Sequence, residues 1–201
     1  IVSVRLKEIR KANIYFSKCL EAHSQINEIL YYNIIEFYLH YEKLDNAIKL
    51  INAALHKNKD NPILLSFLGQ YYFQKNEYDL SIEIFNKVVA LDPKILSAYL
   101  FLSTIELEVY ENFDKAFDIL ENGMNAFPND SRIINNYAYG LLLQNKIVEA
   151  KNLLQRSVDT SDNIFLIATN GLLLIKEGKL EEGIDKYNIA SSNALNELNY
   201  D

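Results

Sequence analysis

Chain breakers are scarce in this sequence of 201 residues, which holds six glycines and three prolines. Sandwiches and barrels consume turn residues in quantity, so the scarcity excludes an all-β architecture and favours long helices joined by tight turns. Cysteine occurs once, at Cys19. A lone thiol excludes an intramolecular disulfide and points to a reducing, cytoplasmic setting. No stretch approaches the roughly 18 consecutive apolar residues of a membrane helix, and the N-terminus turns charged at Arg5 without an apolar signal region. No membrane span is expected. The sequence begins with Ile1 rather than Met, which suggests a processed chain or a piece of a larger one.

Residues able to do chemistry are also thinly spread. His23, His40 and His56 lie 17 and 16 positions apart, unlike a metal-ligand cluster, and Glu36 with His40 supplies at most half a site. Each glycine stands alone, so no loop cradles a phosphate, and no GxSxG is present. Glu181-Glu182 falls at a turn where solvation explains it. Asn129-Asp130-Ser131 is a glycosylation triplet of the kind that arises by chance. The expectation is a non-enzymatic chain with no cofactor and no metal.

A net charge of −7 argues against a nucleic-acid partner, because phosphate contact needs clustered cations. The charge is uneven. Arg5, Lys7, Arg10, Lys11 and Lys18 stand against Glu8 alone in the first 20 residues, a local +4 that leaves −11 on the rest. One solvated helix face accounts for such a cluster, and docking of an acidic neighbour or a membrane surface is the sharper alternative.

What the chain does contain is a period. Residues 62–93 read Leu65-x2-Leu68-Gly69-x2-Tyr72, then Ser81-x3-Phe85, then Pro93. Tyr31-x2-Ile34-Ile35-x2-Tyr38 with Ala47-x3-Ile51, Tyr99-x2-Leu102-Ser103 with Ala116-x3-Leu120, Ile134-x2-Tyr137-Ala138 with Ala150-x3-Leu154, and Ile167-x2-Asn170-Gly171 with Gly183-x3-Tyr187 repeat it. The small residue opening each second half recurs at Ala12, Ala47, Ser81, Ala116, Ala150 and Gly183, at intervals of 35, 34, 35, 34 and 33. Close helix crossings need a small side chain at the contact, with large ones three or four positions away to fill the groove.

This pattern resembles the tetratricopeptide repeat (TPR) family over about residues 10–190. The resemblance implies an all-α, right-handed superhelix, an α-solenoid of antiparallel helix pairs, each pair burying its apolar stripe against its neighbours. The expected organisation is an N-terminal capping helix or half repeat over 1–27, five repeats at 28–61, 62–95, 96–130, 131–163 and 164–190, and a helical extension or tail over 191–201. One long helix is expected over 2–24, with Cys19 on its inner face. An extra residue near Val109–Asn112 is expected in the turn within the third repeat. Asn170, where the other repeats carry Ile34, Leu68, Leu102 and Tyr137, must either bond a carbonyl across the repeat interface or face something bound.

By the same resemblance, first-helix side chains line a concave groove. Here these include Tyr32, Asn33 and Glu36, then Phe67, Gln70 and Phe73, then Leu100 and Phe101. Arg132, Asn135, Asn136 and Tyr139 follow, with Phe165 in the fifth repeat. Tyr32, Phe67, Phe73, Phe101 and Tyr139 are expected along one inner wall. The clamp that some TPR domains close on a chaperone's terminal carboxylate is not matched: counted from the first repeat its positions hold Tyr32, Glu36, Phe67, Ser97 and Phe101, and counted from the second Ser66, Gln70, Phe101, Arg132 and Asn136, which keeps one cation. The expected function is a scaffold that binds an apolar or amphipathic segment of another protein or peptide, unless the groove is packed against itself. Two alternatives stand beside it: a regulatory arm of a larger enzyme whose catalytic domain precedes residue 1, and a structural subunit that self-associates through the solenoid ends.

Overall fold

The structure, a computed structural model, describes residues 10–16, 18, 27–156 and 163–200, with side chains as far as residue 194. Cys19, His23 and much of the expected helix over 2–24 lie outside the described residues; residues 10–16 are helical. Ten further helices are bounded: α1 (Glu28–His40), α2 (Leu44–Lys57), α3 (Pro62–Gln74), α4 (Tyr78–Leu91), α5 (Leu96–Glu108), α6 (Phe113–Ala126), α7 (Ser131–Leu143), α8 (Ile147–Leu154), α9 (Ile164–Lys176) and α10 (Leu180–Tyr200). Among the described residues there is no strand. The fold is an all-α solenoid of antiparallel helix pairs.

Local chemistry marks the ends of these helices. The odd-numbered helices α1, α3, α7 and α9 start at side chains that accept from their first turn: Asn27 from the Ile29 N–H (2.8 Å), Asn61 from Ile63 and Leu64 (3.0 and 3.1 Å), Asp130 from Arg132 (2.9 Å) and Asn163 from Leu166 (3.1 Å). The turns that follow the odd-numbered helices each hold a residue in the left-handed region, at Glu42, Asn76, Glu111, Asn145 and Gly178. In four of these turns the next N–H reaches back five residues to a helix carbonyl: Lys43 to Tyr38, Glu77 to Tyr72, Lys146 to Leu141 and Lys179 to Leu174 (2.7 to 2.9 Å). The turn between α5 and α6, residues 109–112, is one residue longer than the rest. There the Asn112 N–H reaches six residues back to the Glu106 carbonyl, at 2.8 Å.

Small residues let the two helices of a pair approach. Ala47, Ser81, Ala116 and Ala150 are fully buried, and the Ser81 hydroxyl donates to the Gly69 carbonyl at 2.9 Å. The last crossing is tight as well: a Cβ on Gly183 would meet the Gly171 carbonyl oxygen at 2.8 Å. Asn170 donates to the Leu166 carbonyl (2.8 Å), one turn back on its own helix, and not across a repeat interface. An amide four residues along finds its partner locally, without help from a neighbour.

Successive odd-numbered helices touch: α1 with α3, α3 with α5, α5 with α7 and α7 with α9. Among the described residues, successive even-numbered helices have no comparable packing. An array held closer along one rail than the other must curve toward the closer rail, so α1, α3, α5, α7 and α9 form the concave side. The apolar interior is divided into four clusters, centred on Ile34 and Ile51, on Phe85 and Leu102, on Leu120 and Ile133, and on Leu142 and Ala150.

Candidate partner-binding site

Tyr32, from α1, is half-buried. Its hydroxyl donates to Glu28, accepts from the Asn61 amide at 2.9 Å, and its ring lies 5.9 Å from Phe67. Burial and the Glu28 carboxylate push that phenol up. Asn33 and Glu36 are exposed on the same helix, and Gln70 is half-buried on α3.

Phe73 and Phe101 do not stand free on an inner wall. Phe73 meets Phe101 edge-on at 4.9 Å, and Phe101 stacks on fully buried Phe85, with centroids 5.1 Å apart and planes 8° apart. These two rings are engaged with the core, since α4 brings Phe85 up between α3 and α5. Tyr139 is also half-buried, its phenol pushed up by burial and by Glu108. The expectation of one free inner wall therefore fails at these two positions, where the rings at 73 and 101 pack against each other and against Phe85.

Further along, five of the expected residues come together. A pocket of about 420 Å³ is lined by Leu100, Thr104, Arg132, Asn135, Asn136, Asn163, Ile164 and Phe165, from α5, α7 and the start of α9. Phe165 is 73% exposed, with little to shield so large an apolar side chain. Arg132 is held at the rim by Asp130, whose carboxylate accepts from its guanidinium at 2.9 and 3.2 Å; those bonds hold the Asp130 carboxyl below its usual range. Asn136 spans to α5, donating to Ser103 Oγ at 3.3 Å.

Asn135 is the unusual member. It is 8% exposed, its amide nitrogen has a long 3.5 Å contact to Asn136 Oδ1, and its own Oδ1 is buried without a hydrogen-bond partner. Such an orphan costs free energy unless something supplies the missing bond. Sequence reasoning missed Asn163 and Ile164 as lining residues. The signal was present, because an asparagine in the N-cap position must sit beside the first turn it caps, at the mouth of the groove.

At the far end, Leu180, Ile184 and Tyr187 form an exposed stripe on α10. At the repeat position of Tyr187, Ile51, Phe85 and Leu120 are fully buried under the following helix.

The family of ChAPs, the Chs5p-Arf1p-binding proteins, matches residues 4–130, more than half of the sequence. The chain belongs to the ChAPs family. This ChAPs chain is also 26% identical, over 172 residues, to the mouse (Mus musculus) N-alpha-acetyltransferase 16, NatA auxiliary subunit; the match covers 80% of the chain and 20% of that protein. The chain thus spans about a fifth of the length of that curated relative. Among solved structures it resembles TTC0263, a thermophilic TPR protein of Thermus thermophilus (TM-score 0.71, 20% identity, 86% of this chain and 94% of that one). It also resembles the Cut9-Hcn1 structure from the APC/C (TM-score 0.75, 15% identity, 89% and 34%). This ChAPs chain is a TPR protein, an all-α superhelix. No helix of the described residues is long and apolar enough to cross a membrane.

Proposed function

We propose that the chain is a non-catalytic, interaction-bearing part of a protein complex, and that it holds an extended partner segment across α5, α7 and α9. The observation that carries this reading is the pocket itself, lined by exposed Phe165 together with Asn135, whose buried amide oxygen has no hydrogen-bond partner. Side-chain amides bond a peptide backbone without dictating its sequence, and Phe165 with Leu100 offers an apolar seat for one anchor. At the rim, Arg132 gives two of its N–H donors to Asp130 and keeps the others for carbonyl oxygens of the segment. The family name describes proteins that bind Chs5p and Arf1p, and the mouse relative is named an auxiliary subunit; both support a scaffold that positions other proteins. The mouse relative also favours a second reading, in which the repeats serve as the non-catalytic arm of an enzyme complex. A cytoplasmic setting belongs to the same proposal and rests on the single cysteine.

The test is affinity capture with mass spectrometry, comparing the native chain with Phe165→Ala and with Asn135→Leu. Phe165→Ala removes mostly exposed surface, so it should lower partner recovery while melting stays the same. Unchanged recovery with both variants would overturn the assignment of the site. Self-association through the ends would use the Leu180–Ile184–Tyr187 stripe, and a mass independent of concentration in sedimentation removes that alternative.

A further inference from the structure

The convex side carries a second cleft that the groove reading does not use. It lies between α4 and α6, is floored by Tyr99 and Leu102 of α5, and encloses about 550 Å³. Val89 and Ile119 form its apolar walls, and Asn86, Asn122, Asn125 and Lys94 stand at its mouth.

Its two neighbours show what normally happens in this place. Between α2 and α4, Asp60 of the linker reaches Lys87 in an ion pair of 2.7 Å. On the α8 side of α6, the Tyr137 ring stacks on Phe117, with centroids 5.0 Å apart, and its hydroxyl donates to Glu121 at 3.0 Å. In the middle cleft the bridging positions have changed. Lys94 occupies the repeat position of Asp60, and Asn122 that of Lys87. The pair is lost and a cation is left behind. The nearby acid, Asp92, accepts the Lys94 backbone N–H at 2.8 Å and is thereby turned to its own linker. Tyr99 does not bridge either: its hydroxyl donates to the Pro93 carbonyl at 3.2 Å, which holds the ring down as the floor.

We infer that this cleft is a second docking site, for an extended segment of a partner protein that places a large apolar side chain between Val89 and Ile119 and a neighbouring carboxylate on Lys94. The apolar walls reward burial of the anchor. Three asparagine amides supply donors and acceptors for the segment's backbone. The carboxylate restores the charge pairing that Asp60 and Lys87 provide one repeat earlier, with the signs of the linker and its partner exchanged. Because the site lies on the side opposite the groove, both can be occupied at once.

The probe is the blocked peptide acetyl-Gly-Phe-Asp-Gly-amide, titrated into the 15N-labelled chain by NMR. Expected are saturable shifts of the Asn86, Asn122 and Asn125 side-chain amides. Affinity should fall about threefold when the probe's Asp is replaced by Asn, the size of an exposed charge pair. Lys94→Glu should weaken binding at least as much. Asn122→Trp, which fills the mouth of the cleft from an exposed position, should abolish the shifts with the helical spectrum intact. Absence of saturable shifts, shifts indifferent to Lys94→Glu and Asn122→Trp, or shifts confined to the pocket beside Phe165 would each overturn the inference. Only the last of these would leave the groove reading standing on new support.

Discussion

Replacing Gly69 by alanine sets two physical effects of opposite sign against each other. In a helix interior alanine is favoured over glycine by about 1 kcal/mol, so propensity alone makes the change stabilising. Packing opposes it. The new Cβ would lie 2.8 Å from Phe85 Cζ and 2.9 Å from both Cε atoms, closer than carbon atoms pack. The ring cannot simply retreat, because it is stacked on Phe101 and fully buried. Phe101 must therefore move toward the groove, carrying Phe73 with it. Overpacking of this kind costs about 1–3 kcal/mol, which leaves a net loss of about 1 kcal/mol after the propensity gain. Urea denaturation followed by circular dichroism should show a lower midpoint with an unchanged slope. A higher midpoint would refute the reasoning, since it would mean that the Phe85–Phe101 stack yields freely.

Two further outcomes are expected. The Glu106 side chain is 1% exposed and paired with Lys115, itself half exposed, so Lys115→Met should strand a buried carboxylate and cost about 2 kcal/mol, with Glu106→Gln in the same chain recovering most of the loss in urea melts. The Tyr137 phenol is pushed from 10.0 up to about 12 by burial and then by its bond to Glu121. A folded state that holds this proton more tightly than the unfolded chain keeps that stability below pH 10 and loses it as pH rises toward about 12; melts across that window should therefore fall less steeply for Tyr137→Phe.

The helical solenoid could be read from the sequence because a helix crossing imposes a simple demand. Ala47, Ser81, Ala116 and Ala150 must be small wherever two axes approach, and a demand repeated at every crossing leaves a period. The conformations of the turns were less visible. Asn76, Asn145 and Gly178 are ordinary left-handed residues, but Glu42 and Glu111 occupy the same region, where their type carries no hint, and only the turn's hydrogen bonds put them there. Repeat position likewise assigns Leu100, Arg132, Asn135, Asn136 and Phe165 to one surface, and the structure brings them to one pocket. It could not assign the depth at which each side chain sits. Whether Phe101 faces a ligand or Phe85 depends on contacts between repeats, and Glu106 looks like any surface glutamate until Lys115 is folded beside it.

The four apolar clusters are not walled off from one another. Leu55 and Leu68 belong to the first two, Val89 and Ile119 to the second and third, and Phe117, Met124 and Tyr137 to the last two. Each junction is made by a few half-buried side chains rather than by a continuous slab, so a small rotation at one junction disturbs only the residues it shares. Mechanically the molecule is a chain of links, and compliance accumulates along it: slight adjustments at successive junctions open or tighten the curve while every link stays packed. Under the proposed groove binding, a segment lying along several helices would meet a surface whose curvature can follow its own.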